Sequence, residues 1–398
     1  MNFYQLLQQK TKENPQKIFI IFDGFMFTYS DFLTLVDERK FTNHDIIVSV
    51  IQEKNYLEQL VQFFIAQKNK NIPIIIHEGL NFEMDFLAPH KAAEFGVLTS
   101  GTTGEPKILW RDCRSWLDFF VILNPIFNIT EKTSLLLSGS FSFTGSLNMA
   151  IAVLFAGGTL IFYSNFCPKG ILKTPDLTHV YLLPSKLELL NKVAKSNENA
   201  VFCSQVKQII TGSEALQNFT LLRLKNLYTE ANIITYYGSS ELSYLTFADE
   251  TMLQASPNSV GLPFAGINFE EIGGKLYFNT PYAALGLEMP YPCQDNGYFN
   301  DKGHFVLLGR ADNCINIKGN KIKTGNIEKL LLLHEKIDSA IVRGVKKKNG
   351  TLKLRASIVG NVSKKEIVEY LQQHLLPFEI PSSIQVQSKV KKQCLQSR

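Results

Sequence analysis

The stretch LTSGTTGEPK, Leu98–Lys107, decides how this chain is read. Four hydroxyl residues, two glycines and a lysine follow directly on the apolar run Phe95–Leu98. A strand that ends in small polar residues can turn backbone N–H groups and hydroxyls toward a phosphate chain, with a cation at the edge to neutralise it. The GxxxxGK[ST] spacing of a Walker loop is absent. Taken alone, a Ser/Thr/Gly run is a flexible linker at least as often as a phosphate cradle. Pro106-Lys107 on a fixed spacing behind a strand moves the balance toward phosphate.

The sequence around this loop supplies strands and helices in alternation. Upstream, Ile18–Phe22 and Met26–Tyr29 flank an Asp23-Gly24 turn, and Ser30 is an N-cap candidate for a helix from Asp31. The short β-branched runs DIIVSVI and NIPIII are separated by a helical pattern around Tyr56–Gln67. Downstream, TSLLLSGS, GTLIFY, THVYLL, VKQIITGS and NIITYYGSSE each pattern as a buried strand ending in small polar residues. This alternation predicts an α/β fold with parallel strands, whose polar loops converge beyond the strands' C-terminal ends. From about Tyr277 the texture changes to short β segments and Gly-rich turns. After residue 310 a strand–strand–helix order (DSAIVRGV, LKLRASIV, KKEIVEYLQQHL) predicts a small α+β domain.

Composition excludes several function classes. The chain has 398 residues, 45% hydrophobic, with a net charge of +5, enough for a large core and two or three domains. Acids and bases are mixed, so no basic face for nucleic acid is expected. Six cysteines stand far apart with no CxxC pair, which argues against a cysteine metal knuckle and for free thiols in a reducing compartment. The N-terminal stretch lacks a secretory pattern, and the apolar run Met149–Tyr163 is too short to span a bilayer. A cytoplasmic protein is expected.

Several stretches occur in the order found in one known family. LTSGTTGEPK resembles the phosphate-binding loop of the adenylate-forming (AMP-binding) superfamily, which includes acyl-CoA synthetases, luciferases and peptide-synthetase adenylation domains. YYGSSE (Tyr236–Glu241) is similar to its YGxTE motif, and SVGLPFAG (Ser259–Gly266) to GxxGxPxPG. GRADNCINIKGNKIKTGNIE (Gly309–Glu328) resembles GRxDxxIKxxGxxIxPxEIE. The resemblance implies a large N-terminal AMP-binding domain, 1–310, with mixed β-sheets flanked by helices. A small mobile α+β domain, 311–398, would follow.

The resemblance also implies roles for particular residues. ATP would be held by Thr99, Ser100, Gly101, Thr102, Thr103, Gly104 and Lys107 of the loop, with Thr102 and Lys107 acting in catalysis. Gly212, Ser213, Glu214, Tyr237, Gly238 and Ser240 would line the nucleotide, Asp295 and Arg310 would reach the ribose, and Glu241 would bind Mg²⁺. Alone, Tyr237 and Glu241 read as a strand-end aromatic and a solvated acid, and Arg310-Ala311-Asp312 as a surface ion pair. Cys293-Gln294 stands where the family has Thr-Gly before the ribose aspartate.

The implied reaction joins a carboxylic acid to ATP with loss of pyrophosphate, then passes the acyl group to a thiol. The C-terminal domain would rotate about Asp312 between the steps, bringing Lys318 and Gly319 to the thiol side. Phe141, Ser142, Phe143 and Gly145 fall on the acyl-pocket segment. Ser142 stands where acyl- and aryl-CoA synthetases often have histidine and amino-acid-activating members usually have aspartate. Without an acid, an α-ammonium would be left unpaired, so a fatty or aromatic acid and CoA are expected. Two features depart from the family. Only about a hundred residues precede the loop, and the C-terminal lysine has no clean match, leaving Lys391 and Lys392 as substitutes or as a solvated tail. Alternatives are an o-succinylbenzoate–CoA ligase, an enzyme loading a carrier protein, and a catalytically weakened nucleotide-binding regulator.

Overall fold

A computed structural model describes residues 1–39, 47–77, 88–99, 107–194, 200–213, 216, 218–255, 259–273, 275–293, 295–310, 314–317, 320–346 and 352–387. The chain forms two compact units, one of residues 1–293 and 298–307, the other of 294–297 and 308–398.

The first unit is built on a nine-stranded sheet. Six strands at its centre run parallel: Ile18–Phe22, Thr159–Phe162, Ser134–Leu137, His179–Tyr181, Gln208–Gly212 and Asn232–Ser239. One edge is closed by the antiparallel strand Phe25–Thr28, the other by Ser243–Asp249 and Leu262–Pro263. The second sheet runs Val48–Ile51, Ile72–Ile75 and Phe95–Leu98 in parallel, with Ile108–Arg111 antiparallel at its end. The parallel strands follow the hydrophobic runs, because a parallel strand buried on both faces reads as continuous Val/Ile/Leu. The antiparallel strands Ile108–Arg111, Ser243–Asp249 and Leu262–Pro263 were not among those expected, and Phe25–Thr28 lies one residue before the expected Met26–Tyr29 because Tyr29 opens a helix.

The apolar run beginning at Met149 is explained by burial rather than by a membrane. The helix Thr144–Ala156 is buried from Ser146 through Leu154 and lies in the main core. A helix apolar on all sides needs such cover. Among the described residues no helix is long and apolar enough to cross a membrane.

One cap differs from expectation. The helix after the hairpin of Ile18–Phe22 and Phe25–Thr28 runs Tyr29–Glu38, and its N-cap is Thr28 rather than Ser30. Thr28 Oγ1 accepts from Asp31 N at 3.0 Å, while Asp31 returns a carboxylate to Thr28 N at 2.9 Å. The T-x-x-D spacing satisfies two otherwise orphaned donors reciprocally, which a lone Ser30 cannot do.

The central sheet carries a buried titratable group. His179 is 6% exposed, its Nε2 lies 3.0 Å from Asn128 O, and its Nδ1 lies 2.8 Å from Thr178 Oγ1. Burial lowers its pKa from 6.5 to about 4, against hydrogen bonds that the ring donates to the 127–128 carbonyls and that favour the charged form. The folded chain therefore binds fewer protons than the unfolded one between these values, and stability falls as pH drops from about 6.5 toward 4. His179→Gln should flatten that part of the profile, where the histidine contributes up to about 1.4 kcal/mol per pH unit. Equal slopes in urea titrations of both proteins would refute this.

In the second unit, Ile337–Lys346 pairs antiparallel with Leu352–Gly360, which pairs in parallel with Ser383–Gln387. The helices Thr324–Leu333 and Lys364–Gln372 bury Ile327, Leu331, Ile367 and Leu371 in its core. The strand–strand–helix order follows the sequence pattern; the strand Ser383–Gln387 was not among the expected elements. A hairpin of Cys314–Ile317 and Asn320–Lys323 precedes the first of these helices.

Candidate active site

The site begins where Phe95–Leu98 ends. Thr99 N donates to Lys107 O at 2.9 Å, and Lys107 N donates to Thr99 Oγ1 at 2.9 Å. The two ends of the hydroxyl-rich segment are thereby tied together at the edge of the second sheet. Thr99 is half-buried and Lys107 exposed. Ser100, Gly101, Thr102, Thr103 and Gly104 lie outside the described residues, as do Glu214, Asp312, Lys318, Gly319, Lys391 and Lys392.

Three distant segments meet at the carbonyl that closes this strand. Leu98 O lies 3.1 Å from Thr144 Oγ1 and 3.2 Å from Ser240 Oγ, and the two hydroxyls lie 3.0 Å apart. Leu98 also bridges Phe143 in parallel fashion. The root of the loop, the first turn of the helix Thr144–Ala156 and the YYGSSE segment thus share one point. Thr144 was not among the residues singled out from sequence. An isolated threonine before an apolar helix reads as an ordinary helix start, so no local signal marks it.

Glu241 follows Ser240 and is half-buried. No ion pair or hydrogen bond engages its carboxylate among the described residues, while its backbone carbonyl accepts from Ala284 N at 2.8 Å. Such an uncommitted carboxylate beside neutral hydroxyls is a hard-oxygen donor set. It fits Mg²⁺, which takes one or two protein carboxylates and completes its shell from phosphate and water. Among the described residues there is no cluster of three or more metal-binding side chains, so a closed protein cage is not formed there.

The wall behind this point is tyrosine. Tyr181 and Tyr236 hydroxyls are 2.5 Å apart, Tyr181 and Tyr244 hydroxyls 3.3 Å, and Ser213 Oγ lies 3.4 Å from the Tyr236 hydroxyl. Burial pushes all three phenols above their ordinary range, so they stay protonated hydrogen-bonders. Gly145 faces them, and a Cβ there would come within 2.6 Å of the Tyr181 oxygen. Gly212 closes the strand Gln208–Gly212, and Gly238 sits at a bulge opposite Tyr244. Tyr237 is half-buried, its ring centroid 5.2 Å from that of Phe305 and its hydroxyl 3.3 Å from Cys293 Sγ.

The acyl-pocket assignment divides. Phe141 is 1% exposed and packs edge-on against Tyr56 and Phe162, so it belongs to the core rather than to an open pocket. Phe143 is 51% exposed, with its ring 4.7 Å from His77. Residues 141–142 form a turn rather than a strand, so two side chains at i and i+2 need not share a face. Ser142 is buried, its Oγ 2.8 Å from both His77 Nδ1 and Ser140 Oγ. An imidazole therefore does sit at this position, delivered by His77 from beyond the strand Ile72–Ile75. Sequence reasoning missed it because the partner is 65 residues away.

Asp295 opens the strand Asp295–Phe299 and Arg310 closes Phe305–Arg310, two strands that form one hairpin. The Arg310 side chain lies outside the described residues.

A family description, AMP-binding enzyme, matches residues 82–270, across the loop, the Leu98 junction and Glu241. That segment, 189 of the 398 residues, is similar to AMP-binding enzymes. It is 27% identical over 304 residues to the uncharacterized acyl–CoA ligase YhfT of Bacillus subtilis (strain 168), covering 71% of this chain and 62% of that protein. It is 24% identical over 309 residues to VraA of Staphylococcus aureus (strain COL), provisionally named a long chain fatty acid-CoA ligase, covering 72% and 65%. The chain thus spans less than two thirds of the length of these curated relatives. Its fold is that of the o-succinylbenzoate CoA synthetase MenE of Bacillus subtilis, solved with ATP and magnesium, at TM-score 0.79 and 17% identity over 96% of this chain and 95% of that one.

Proposed function

We propose that this chain is an AMP-forming acid–thiol ligase, which activates a carboxylic acid with ATP and passes the acyl group to the thiol of CoA. The observation that carries the reading is the shared Leu98 carbonyl, which gathers the loop root, Thr144 and the Ser240-Glu241 segment. One acid oxygen attacks the α-phosphorus, the bond to the β-phosphate breaks, and pyrophosphate leaves. Charge on the phosphate oxygens would be met by the loop's N–H groups and hydroxyls and by Lys107, through positioning and electrostatics. Mg²⁺ held by Glu241 would supply further positive charge there.

In the second step the thiol sulfur bonds to the acyl carbon, its proton is released and AMP leaves. Asp312 is the proposed hinge between the steps, with Lys318 and Gly319 on the thiol side. Asp295 and Arg310 are proposed for the ribose, Gly212, Ser213 and Glu214 for the adenine, and Lys391 or Lys392 for the carboxylate–phosphate charge. The exposed ring of Phe143 and the Ser142–His77 pair, which brings no carboxylate to this position, support an apolar acid, fatty or aromatic, over an α-amino acid. The name of VraA favours the fatty class.

ATP–pyrophosphate exchange across a panel of carboxylic acids tests the reading. Exchange with medium- or long-chain fatty acids or with aryl acids, and none with amino acids, is the expected result. No exchange with any acid, in a protein that still binds ATP, would remove the ligase reading and leave a nucleotide-binding regulator.

A further inference from the structure

The strand that leaves the loop, Ile108–Arg111, ends in a buried cation. Arg111 is 0% exposed, and among the described residues its donors go only to backbone carbonyls: Tyr282 O at 2.9 Å, Ser240 O at 2.6 Å and Glu241 O at 3.2 Å. Its Nε has no partner among the described residues, and its guanidinium carbon lies 5.9 Å from the Trp116 ring centroid. Nothing on this list is a bonded carboxylate. A buried cation compensated only by carbonyls costs several kcal/mol of desolvation that an apolar side chain would avoid. Burial lowers its pKa only to about 10, opposed by the nearby charges of Glu241 and Asp112, so it stays charged at neutral pH.

What the guanidinium does is fasten one segment. It grips two consecutive carbonyls, Ser240 and Glu241, and ties them to the strand Ile108–Arg111. The stretch 282–285 is stitched to the same assembly, through Ala284 N to Glu241 O and Leu285 N to Trp110 O, both at 2.8 Å. A planar fork of donors can hold carbonyls from separate segments at once, which a lysine cannot reproduce. We propose that Arg111 is the positioning residue of the metal site: by holding the Ser240 and Glu241 carbonyls it fixes where the Glu241 carboxylate stands relative to the loop. The proposal rests on the reading of Glu241 as the Mg²⁺ ligand.

Arg111→Lys keeps the buried charge but loses the fork, and carries the test; Arg111→Gln, neutral with two donors, is the second variant. ATP binding is measured by equilibrium dialysis over a series of Mg²⁺ concentrations. Both variants should need at least about tenfold more Mg²⁺ for half-maximal binding, as expected when an outer support of a metal ligand is lost. Saturating Mg²⁺ should restore most of the affinity. In metal-free protein, amide hydrogen exchange across 238–243 should be faster than in the wild type. ATP binding weakened by one factor at every Mg²⁺ concentration would mean a merely structural role and overturn the proposal. So would an unmoved midpoint with unchanged amide exchange. A wild-type chain whose ATP binding ignores Mg²⁺ would overturn the metal reading of Glu241 and this proposal with it.

Discussion

Glu241→Gln should lower ATP–pyrophosphate exchange by at least about a hundredfold at millimolar Mg²⁺, roughly 2.7 kcal/mol of lost transition-state stabilisation. The substitution removes the anionic oxygen while keeping nearly the same volume. The carboxylate has no hydrogen bond or ion pair among the described residues, and the backbone bonds of Glu241 to Ala284 and Arg111 do not involve it. The fold should therefore survive, with little change in melting temperature. Exchange close to wild type at ordinary Mg²⁺ would show that another group holds the metal. Loss of exchange together with loss of folded protein would mean the carboxylate is structural.

Gly261→Ala should destabilise the first unit by at least about 3 kcal/mol. Gly261 has φ +81°, and a Cβ there would lie 1.8 Å from Phe247 O, 2.4 Å from its carbonyl carbon and 2.7 Å from Ala248 Cα. All three are backbone atoms of the strand Ser243–Asp249, so no side-chain rotation relieves the overlap. Gly261 O also accepts from Phe305 N at 2.7 Å, so movement there would strain a second contact. Gly273 is the control: φ is +58° with nothing within 4 Å of an added Cβ. Alanine there should cost only the left-handed backbone strain, about 1–2 kcal/mol. Similar unfolding free energies for the two variants would refute the close-contact account.

Much of the fold was legible because its signals are local. Continuous apolar runs ending in Ser, Thr or Gly mark buried parallel strands wherever they fall, and Asp-Gly between two such runs marks a hairpin. The Thr28 cap was misread because two candidate hydroxyls stand two residues apart. Only the return bond from Asp31 decides between them. In the site, Glu241, Ser240, Gly145 and Lys107 could be named from motif resemblance, but not what holds them. Arg111 had a faint signal, a cation on an otherwise apolar strand, which an exposed edge strand would also show.

The order of elements, the position of the hydroxyl-rich loop and the chemistry of its residues were determined by sequence alone. Hydrophobic period, turn residues and side-chain type act over a few positions of the chain. The convergence was decided by the tertiary structure. Leu98 meets Thr144 at a separation of 46 residues and Ser240 at 142. Ser142 receives its imidazole from His77, and Phe141 faces the core while Phe143 faces out. These outcomes depend on which strands lie side by side and which side chains the packed core excludes from water. That arrangement arises from the summed burial of the whole domain, which no short stretch of sequence encodes.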